Sequence, residues 1–273
     1  MKNLAFLLCL TVPGFAQDAL KTSLVFHASF DSSLNADFSR GDKICYSKKG
    51  VPCVPNDDVK LVATGGKFGG CVHYPKKGTT RPQYSGVNTL GYNAQSWSAT
   101  VSIWLKLTPD EDLEPGYCDP VQITGDDTKK GYIFLEFSKD EMPRYFRYAV
   151  RPLFHIWNPT NVQWADIPFE KRPMVQVPKP PFTRDTWTHV AFTLSNLNSN
   201  AAKPSGSLYL NGAKQGSIEN WDLRFGWDPA SVALVLGASY VGYQDDLAVF
   251  DRALMDAEIT RLYKLEDGVG SLR

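Results

Sequence analysis

The sequence predicts an all-β sandwich, and three observations point to it. Short runs of alternating apolar and polar residues recur along the chain, and glycine, proline and asparagine punctuate them. Helical periodicity is nearly absent outside one stretch near the C-terminus. With 273 residues, 43% hydrophobic and 12% aromatic, the chain has enough apolar surface for one large all-β core.

The elements follow in order. LVFHASF (24–30) sets Leu24, Phe26, Ala28 and Phe30 against Val25, His27 and Ser29. TVSIWLKL (100–107) places Val101, Ile103, Leu105 and Leu107 on one face, since side chains alternate along a strand. GYIFLEF (131–137) and WTHVAFTL (187–194) are β-rich runs of the same kind. Asn211-Gly212 stands between two short runs in GSLYLNGAKQGSI (206–218), a tight-hairpin signature, because both turn residues tolerate positive φ. SVALVLGAS (231–239) and DDLAVF (245–250) close the series. One short C-terminal helix is expected after them. Asp256 suits its cap, Glu258 its positive end, and Ile259, Leu262 and Tyr263 share one face. Residues 266–273 read as a loose tail.

Two long stretches break the pattern. Residues 39–59 are rich in Lys, Gly and Pro and read as a surface loop. Residues 142–181 read as a loop insertion. It carries Tyr145, Phe146, Tyr148, Phe154, Trp157, Trp164 and Phe169, interleaved with Arg144, Arg147, Arg151, Arg172 and several prolines.

Residues 1–16 have the form of a secretory signal peptide: Lys2, an apolar run from Leu4 to Val12, then Gly14 and Ala16 as small residues before the cut. The expectation is a secreted, periplasmic or cell-envelope protein whose mature part, 17–273, is a single domain. Cleavage removes Cys9 and leaves Cys45, Cys53, Cys71 and Cys118, an even number compatible with disulfides in three pairings. One reading joins Cys45 to Cys53 and Cys71 to Cys118; the other leaves Cys71 as a small buried residue. No Cys/His spacing suggests zinc.

Lysine plus arginine balances aspartate plus glutamate, 29 against 29, and no basic face is clustered. Nucleic acid is therefore not an expected partner. No later segment is long and apolar enough to span a membrane.

Catalytic motifs are missing from the sequence. Asp245 and Asp246 are adjacent, so on a regular strand they point to opposite faces. Glu136, Asp140 and Glu141 are wrongly spaced for one strand face, no serine sits in a GxSxG elbow, and His27, His73, His155 and His189 are scattered. No catalytic residue is assigned. The candidate binding surface is the aromatic insertion, with Trp157, Trp164, Tyr145 and Arg147 as the residues to stack on and hydrogen-bond a sugar. The alternative is that these aromatics form the insertion's own small core.

Taken in order, LVFHASFDSSLNADFS, GGKFGGCVHY, WSATVSIWLKL, WTHVAFTLSN, GSLYLNGAKQG, LVLGAS and DDLAVFDRALMDAEITRLY resemble the laminin-G-like domains of the concanavalin A-like lectin/glucanase superfamily, especially the bacterial exported type. The resemblance implies a jelly-roll sandwich of two antiparallel sheets, with the first strand near the DDLAVF strand. It also implies a structural calcium ion at the rim, for which Asp31, Asp245 and Asp246 are the candidate ligands. The alternative for these carboxylates is hydrogen bonding to nearby backbone amides. The family's Glu-x-Asp-x-x-Glu catalytic run is missing from this sequence. A non-catalytic module binding a glycan or another extracellular polymer is the leading expectation. The alternatives are a glycosidase or polysaccharide lyase with an atypical site, and a structural or adhesive envelope protein.

Overall fold

The structure, a computed structural model, describes residues 19–273. The expected signal peptide lies outside the described residues. Among these, no helix is long and apolar enough to cross a membrane.

The chain forms strands β1 (Leu24–Ala28), β2 (Phe38–Ser39), β3 (Tyr46–Lys48), β4 (Val51–Pro52), β5 (Lys60–Val62), β6 (Cys71–Tyr74), β7 (Gln83–Ser85), β8 (Trp97–Lys106) and β9 (Cys118–Thr124). It continues with β10 (Tyr132–Phe137), β11 (Phe146–Arg151), β12 (Met174–Val177), β13 (Thr188–Leu197), β14 (Ser205–Leu210), β15 (Ala213–Ile218), β16 (Ala233–Ala238) and β17 (Gly242–Phe250). These make two antiparallel sheets. The nine-stranded sheet runs β15-β14-β13-β8-β17-β1-β2, with β6 also paired to β17 and β5 to β6. The eight-stranded sheet runs β12-β11-β10-β9-β16-β7-β3-β4. This is the predicted jelly-roll-like sandwich.

Alternation along the strands builds the core between the sheets. Val101, Ile103 and Leu105 of β8, Val190 and Phe192 of β13, and Leu247 and Val249 of β17 meet Ile123, Ile133, Leu135, Phe137, Tyr148 and Leu234 of the other sheet. Each such side chain contributes about 1.5–3 kcal/mol on leaving water. The Asn211-Gly212 turn forms as read, at φ 49° and 76°, and pairs Leu210 with Ala213.

The outer face of the nine-stranded sheet carries a second apolar layer. Leu20, Leu24, Tyr209, Phe250 and Leu254 pack with Ile259 and Leu262 of the helix Asp256–Tyr263 and with Val269 and Leu272. The expected loose tail is thus ordered: Val269–Leu272 is a 3-10 turn with both apolar residues buried. The helix begins differently from the reading as well. Glu258 accepts from the backbone N–H of Met255, 2.9 Å away, and both its oxygens are held by Arg252 at 2.6 Å. Asp256 instead accepts from the Tyr209 hydroxyl at 2.7 Å.

The stretch expected as a loop insertion, 142–181, holds two strands of the eight-stranded sheet. Its first part supplies β11 and its last part β12, which extend the eight-stranded sheet by two strands. Phe146, Tyr148 and Val150 therefore point into the core. Only residues 152–173, between these strands, form an irregular excursion, with a short helix Phe154–Trp157 and two 3-10 turns.

Candidate functional site

On β10, Ile133, Leu135 and Phe137 face the core, so Tyr132, Phe134 and Glu136 face outward. Register extends this outer face into rows across the sheet. One row runs Tyr46, Gln83, Val235, Gln122, Phe134, Ala149, Met174. A neighbouring row runs Ser85, Ala233, Thr124, Tyr132, Arg151. The excursion lies over the β10–β12 end, where Trp164 packs on Phe134, Ala149 and Met174.

Under the excursion, polar groups gather among rings. The Tyr132 hydroxyl donates to Asp119 Oδ2 at 3.0 Å, and Gln122 Nε2 donates to the same oxygen at 2.7 Å. Burial pushes the Asp119 carboxyl up from the usual range. The Arg151 guanidinium lies 4.6 Å from the Phe134 ring, 4.9 Å from Trp164, 5.0 Å from Tyr132 and 5.1 Å from Trp157. Three buried atoms here have no hydrogen-bond partner: Asp119 Oδ1, Arg151 Nε and Trp157 Nε1. Next to them, Arg147 bonds Glu136 at 3.3 Å, Gln176 at 2.8 Å and Glu141 at 2.5 Å. Burial and the charge of Asp119 push Glu136 up to about 7, against the pull of Arg147.

The residues expected to bind sugar are partly drawn together. Trp157 is buried and meets Trp164 edge to face, at 5.5 Å and 71°, so the two indoles do not form a flat exposed platform. Arg147 is buried in its ion pairs, with the half-buried Tyr145 ring 5.8 Å away. Asp119, Gln122, Tyr132 and Arg151 were missed as a site. The available signal was the even spacing of Arg147 and Arg151, which places both on one face of β11, and the polar Tyr132 and Glu136 in an otherwise apolar strand.

A cavity of about 570 Å³ lies at the other end of the same face, lined by residues including Tyr46, Gln83, Ser85, Ala233, Asp42 and Lys49. From β3 to β11 is five strand spacings, roughly 24 Å.

The other candidates lie on the nine-stranded sheet. Asp246 sits at φ 49° in a bulge of β17, where the strand's partner changes from β6 to β1. The bulge breaks the alternation expected of Asp245 and Asp246, and both carboxylates serve loops on the sheet's outer side. Asp245 accepts from Phe68 N at 3.0 Å and Asp246 N at 2.7 Å. Asp246 accepts from His27 Nε2 at 2.7 Å and Val269 N at 3.1 Å, and Asp31 accepts from Gly70 N at 2.7 Å. Gly69, at φ 84°, would bring a Cβ to 2.3 Å from Asp31 Oδ1, so the loop needs glycine there. Among the described residues no group of three or more His, Cys, Asp or Glu is placed to hold a metal ion. The backbone N–H groups and His27 that these carboxylates accept from fit the alternative reading of Asp31, Asp245 and Asp246. The unfolding midpoint is therefore expected to be the same with added calcium and with chelator; a rise with calcium would reverse this assignment.

Cys45, Cys53, Cys71 and Cys118 are buried as free thiols. Cys53 N donates to Cys45 O at 2.7 Å across the β3–β4 hairpin. Cys71 and Cys118 have different surroundings. Burial pushes both thiols up to about 11; Asp245 adds to the rise at Cys71, and Arg144, 3.9 Å away, opposes it at Cys118.

A family model described as the concanavalin A-like lectin/glucanases superfamily matches residues 81–260. No curated protein matches the chain in sequence. Among solved structures, the botulinum neurotoxin serotype D binding domain aligns with TM-score 0.61 and 13% identity over 91% of this chain and 52% of that one. The serotype D ligand binding domain in complex with N-acetylneuraminic acid aligns at 0.58 and 13%, again over 91% and 52%. Domain 4 of AbnA, an arabinanase of Geobacillus stearothermophilus in complex with arabinotriose, aligns at 0.45 and 17% over 89% and 98%. The chain thus spans about half the length of the toxin domains it matches.

Proposed function

Because the chain belongs to the laminin-G-like branch of the concanavalin A-like lectin/glucanase superfamily, we propose that it is an exported carbohydrate-binding module. Its glycan lies on the outer face of the eight-stranded sheet. One observation carries the reading: the unpartnered Asp119 Oδ1, Arg151 Nε and Trp157 Nε1 sit in one cluster of aromatic rings. Leaving a buried polar atom unpaired costs about 1–3 kcal/mol, so native structures seldom do it without cause. Hydroxyl groups both donate and accept, and so suit a site that offers one acceptor and two donors. Rings around them offer apolar surface to the C–H faces of a sugar. The structural neighbours described as a binding domain and a ligand binding domain are in keeping with this reading. Export is supported by the N-terminal sequence.

The test is a glycan array on the mature chain, followed by titration of the best neutral oligosaccharide. Trp157→Ala and Arg151→Ala are each expected to weaken binding by ~10-fold or more, which is about 1.4 kcal/mol. The absence of any glycan hit, or binding unchanged in both variants, removes the proposal.

One observation favours a second reading, glycoside cleavage. Burial and the charge of Asp119, itself raised by burial, push Glu136 up to about 7, the range in which a general acid works at neutral pH. Release of reducing ends that stops in Glu136→Gln, with binding retained, would select it.

A further inference from the structure

The nine-stranded sheet carries a second surface with a different character. Lys60 of β5 lies directly opposite His73 of β6, His73 opposite Tyr243 of β17, and Tyr243 opposite Lys106 of β8. The four form one row on the outer face, about 14 Å long over three strand spacings. The His73 and Tyr243 rings are stacked at 4.2 Å and 8°. Lys106 Nζ stands 4.9 Å from the Tyr243 ring and 4.9 Å from the Trp187 ring. Beside the row, Lys67 Nζ stands 4.7 Å over the Trp104 ring. A cavity of about 390 Å³ opens at the row's end, lined by His73, Lys106, Arg184 and Tyr243 among others.

The charges here are unbalanced. Neighbouring cations have acids: Lys76 pairs with Asp58, and Arg184 with Glu111 and Asp112. No carboxylate pairs with Lys60, Lys67, His73 or Lys106 among the described residues. Lys106 and Lys67 are held over aromatic faces instead, which fixes their direction without neutralising them. Fixed cations spaced along a row favour an anion that repeats along a chain. The ordinary surface of this protein, with net charge zero, gives no other reason for them.

We propose that this row is a second binding site, for an acidic polysaccharide whose sulfate or carboxylate groups meet Lys60, His73, Lys106 and Lys67. It is separate from the site on the eight-stranded sheet and does not depend on it. His73 gives the site a pH response. Burial and the charges of Lys60 and Lys106 hold its imidazole below the usual range. Lys60 from β5, Lys106 from β8 and Tyr243 from β17 face it, with Arg184 and Asp112 across the cavity. An arriving anion offsets the two lysines and favours the protonated ring. Binding therefore strengthens as pH falls below neutrality.

The experiment titrates the mature chain with dextran sulfate, polygalacturonate and uncharged dextran, a matched series that separates sulfate from carboxylate and both from the neutral chain. Binding of at least one acidic polymer, weakened ~10-fold or more in Lys60→Gln/Lys106→Gln and falling steeply with salt, is the expected result. His73→Gln should flatten the pH profile. Equal binding of dextran, no binding of either acidic polymer, or binding unchanged in the double variant overturns the proposal. A single-stranded oligonucleotide bound more tightly than both polymers, and lost in the same variant, overturns the choice of partner. Trp157→Ala separates the two sites: it should leave acidic-polymer binding intact whatever happens to the neutral glycan.

Discussion

Asp246→Ala is expected to lower stability by about 3–4 kcal/mol, because it breaks a buried pair and leaves its partners unsatisfied. His27 is fully buried and loses its 2.7 Å bond to Asp246 Oδ1; Val269 N loses its acceptor at the same time. Phe68 and Gly268 close over the same carboxylate: a Cβ on Gly268, at φ 63°, would meet Asp246 Oδ2 at 2.9 Å and the Phe68 ring at 2.7 Å. The variant should therefore unfold at lower urea and show early protease cleavage within residues 266–273. A urea midpoint equal to the wild type would refute the assignment. The pH dependence tests the neighbouring carboxylate. Burial, with a smaller contribution from Asp246, pushes Asp245 up to about 8. The folded state thus binds a proton that the unfolded chain releases near pH 4. The stabilisation is full below that value and is lost as pH rises through about 8. Urea midpoints of the wild type should fall from pH 5 to pH 9, and less so in Asp246→Ala.

Arg144→Met should be nearly as damaging, with a loss of about 3 kcal/mol, although it keeps the volume of the side chain. Arg144 is buried, and its guanidinium donates to four carbonyl oxygens: Gly116 at 2.8 Å, Ser138 at 3.1 Å, Glu114 at 2.9 Å and Leu113 at 3.4 Å. Methionine leaves those acceptors without a donor. Lysine restores the charge without the planar fork and should recover only part of the loss. The segment it holds leads into Asp119, so weaker glycan binding should accompany the lower midpoint. Stability within about 0.5 kcal/mol of wild type would show that water replaces the arginine at little cost.

The fold was legible because its strands alternate and its turns use residues suited to positive φ. β8, β13 and the Asn211-Gly212 hairpin needed nothing more. The site was less legible for three physical reasons. Asp119 lies within a register shift of β9, between Cys118 and Val121, so its face could not be counted from the strand's period. Arg144, Arg147 and Arg151 look alike in the sequence. The fold makes the first a carbonyl staple, the second an ion-paired bridge and the third a cation caged by four rings. Asp245 and Asp246 lie at a bulge, where reading them as a regular strand gives the wrong direction. The two strands within 142–181 were hard to read for a related reason. The aromatics alternate within β11, and proline content drew attention away from that alternation.

The position of β17 has a consequence for how the molecule is made. It is the last strand among the described residues, yet it lies between β8 on one side and β1 and β6 on the other. While the ribosome is still short of residue 242, β1, β6 and β8 have no partner along that edge, and their backbone amides and carbonyls stand open to other chains. The centre of the nine-stranded sheet is thus assembled late, through contacts far apart in sequence, a topology that folds slowly. Nascent chains are most exposed to aggregation during that interval, and a holding chaperone would help most there.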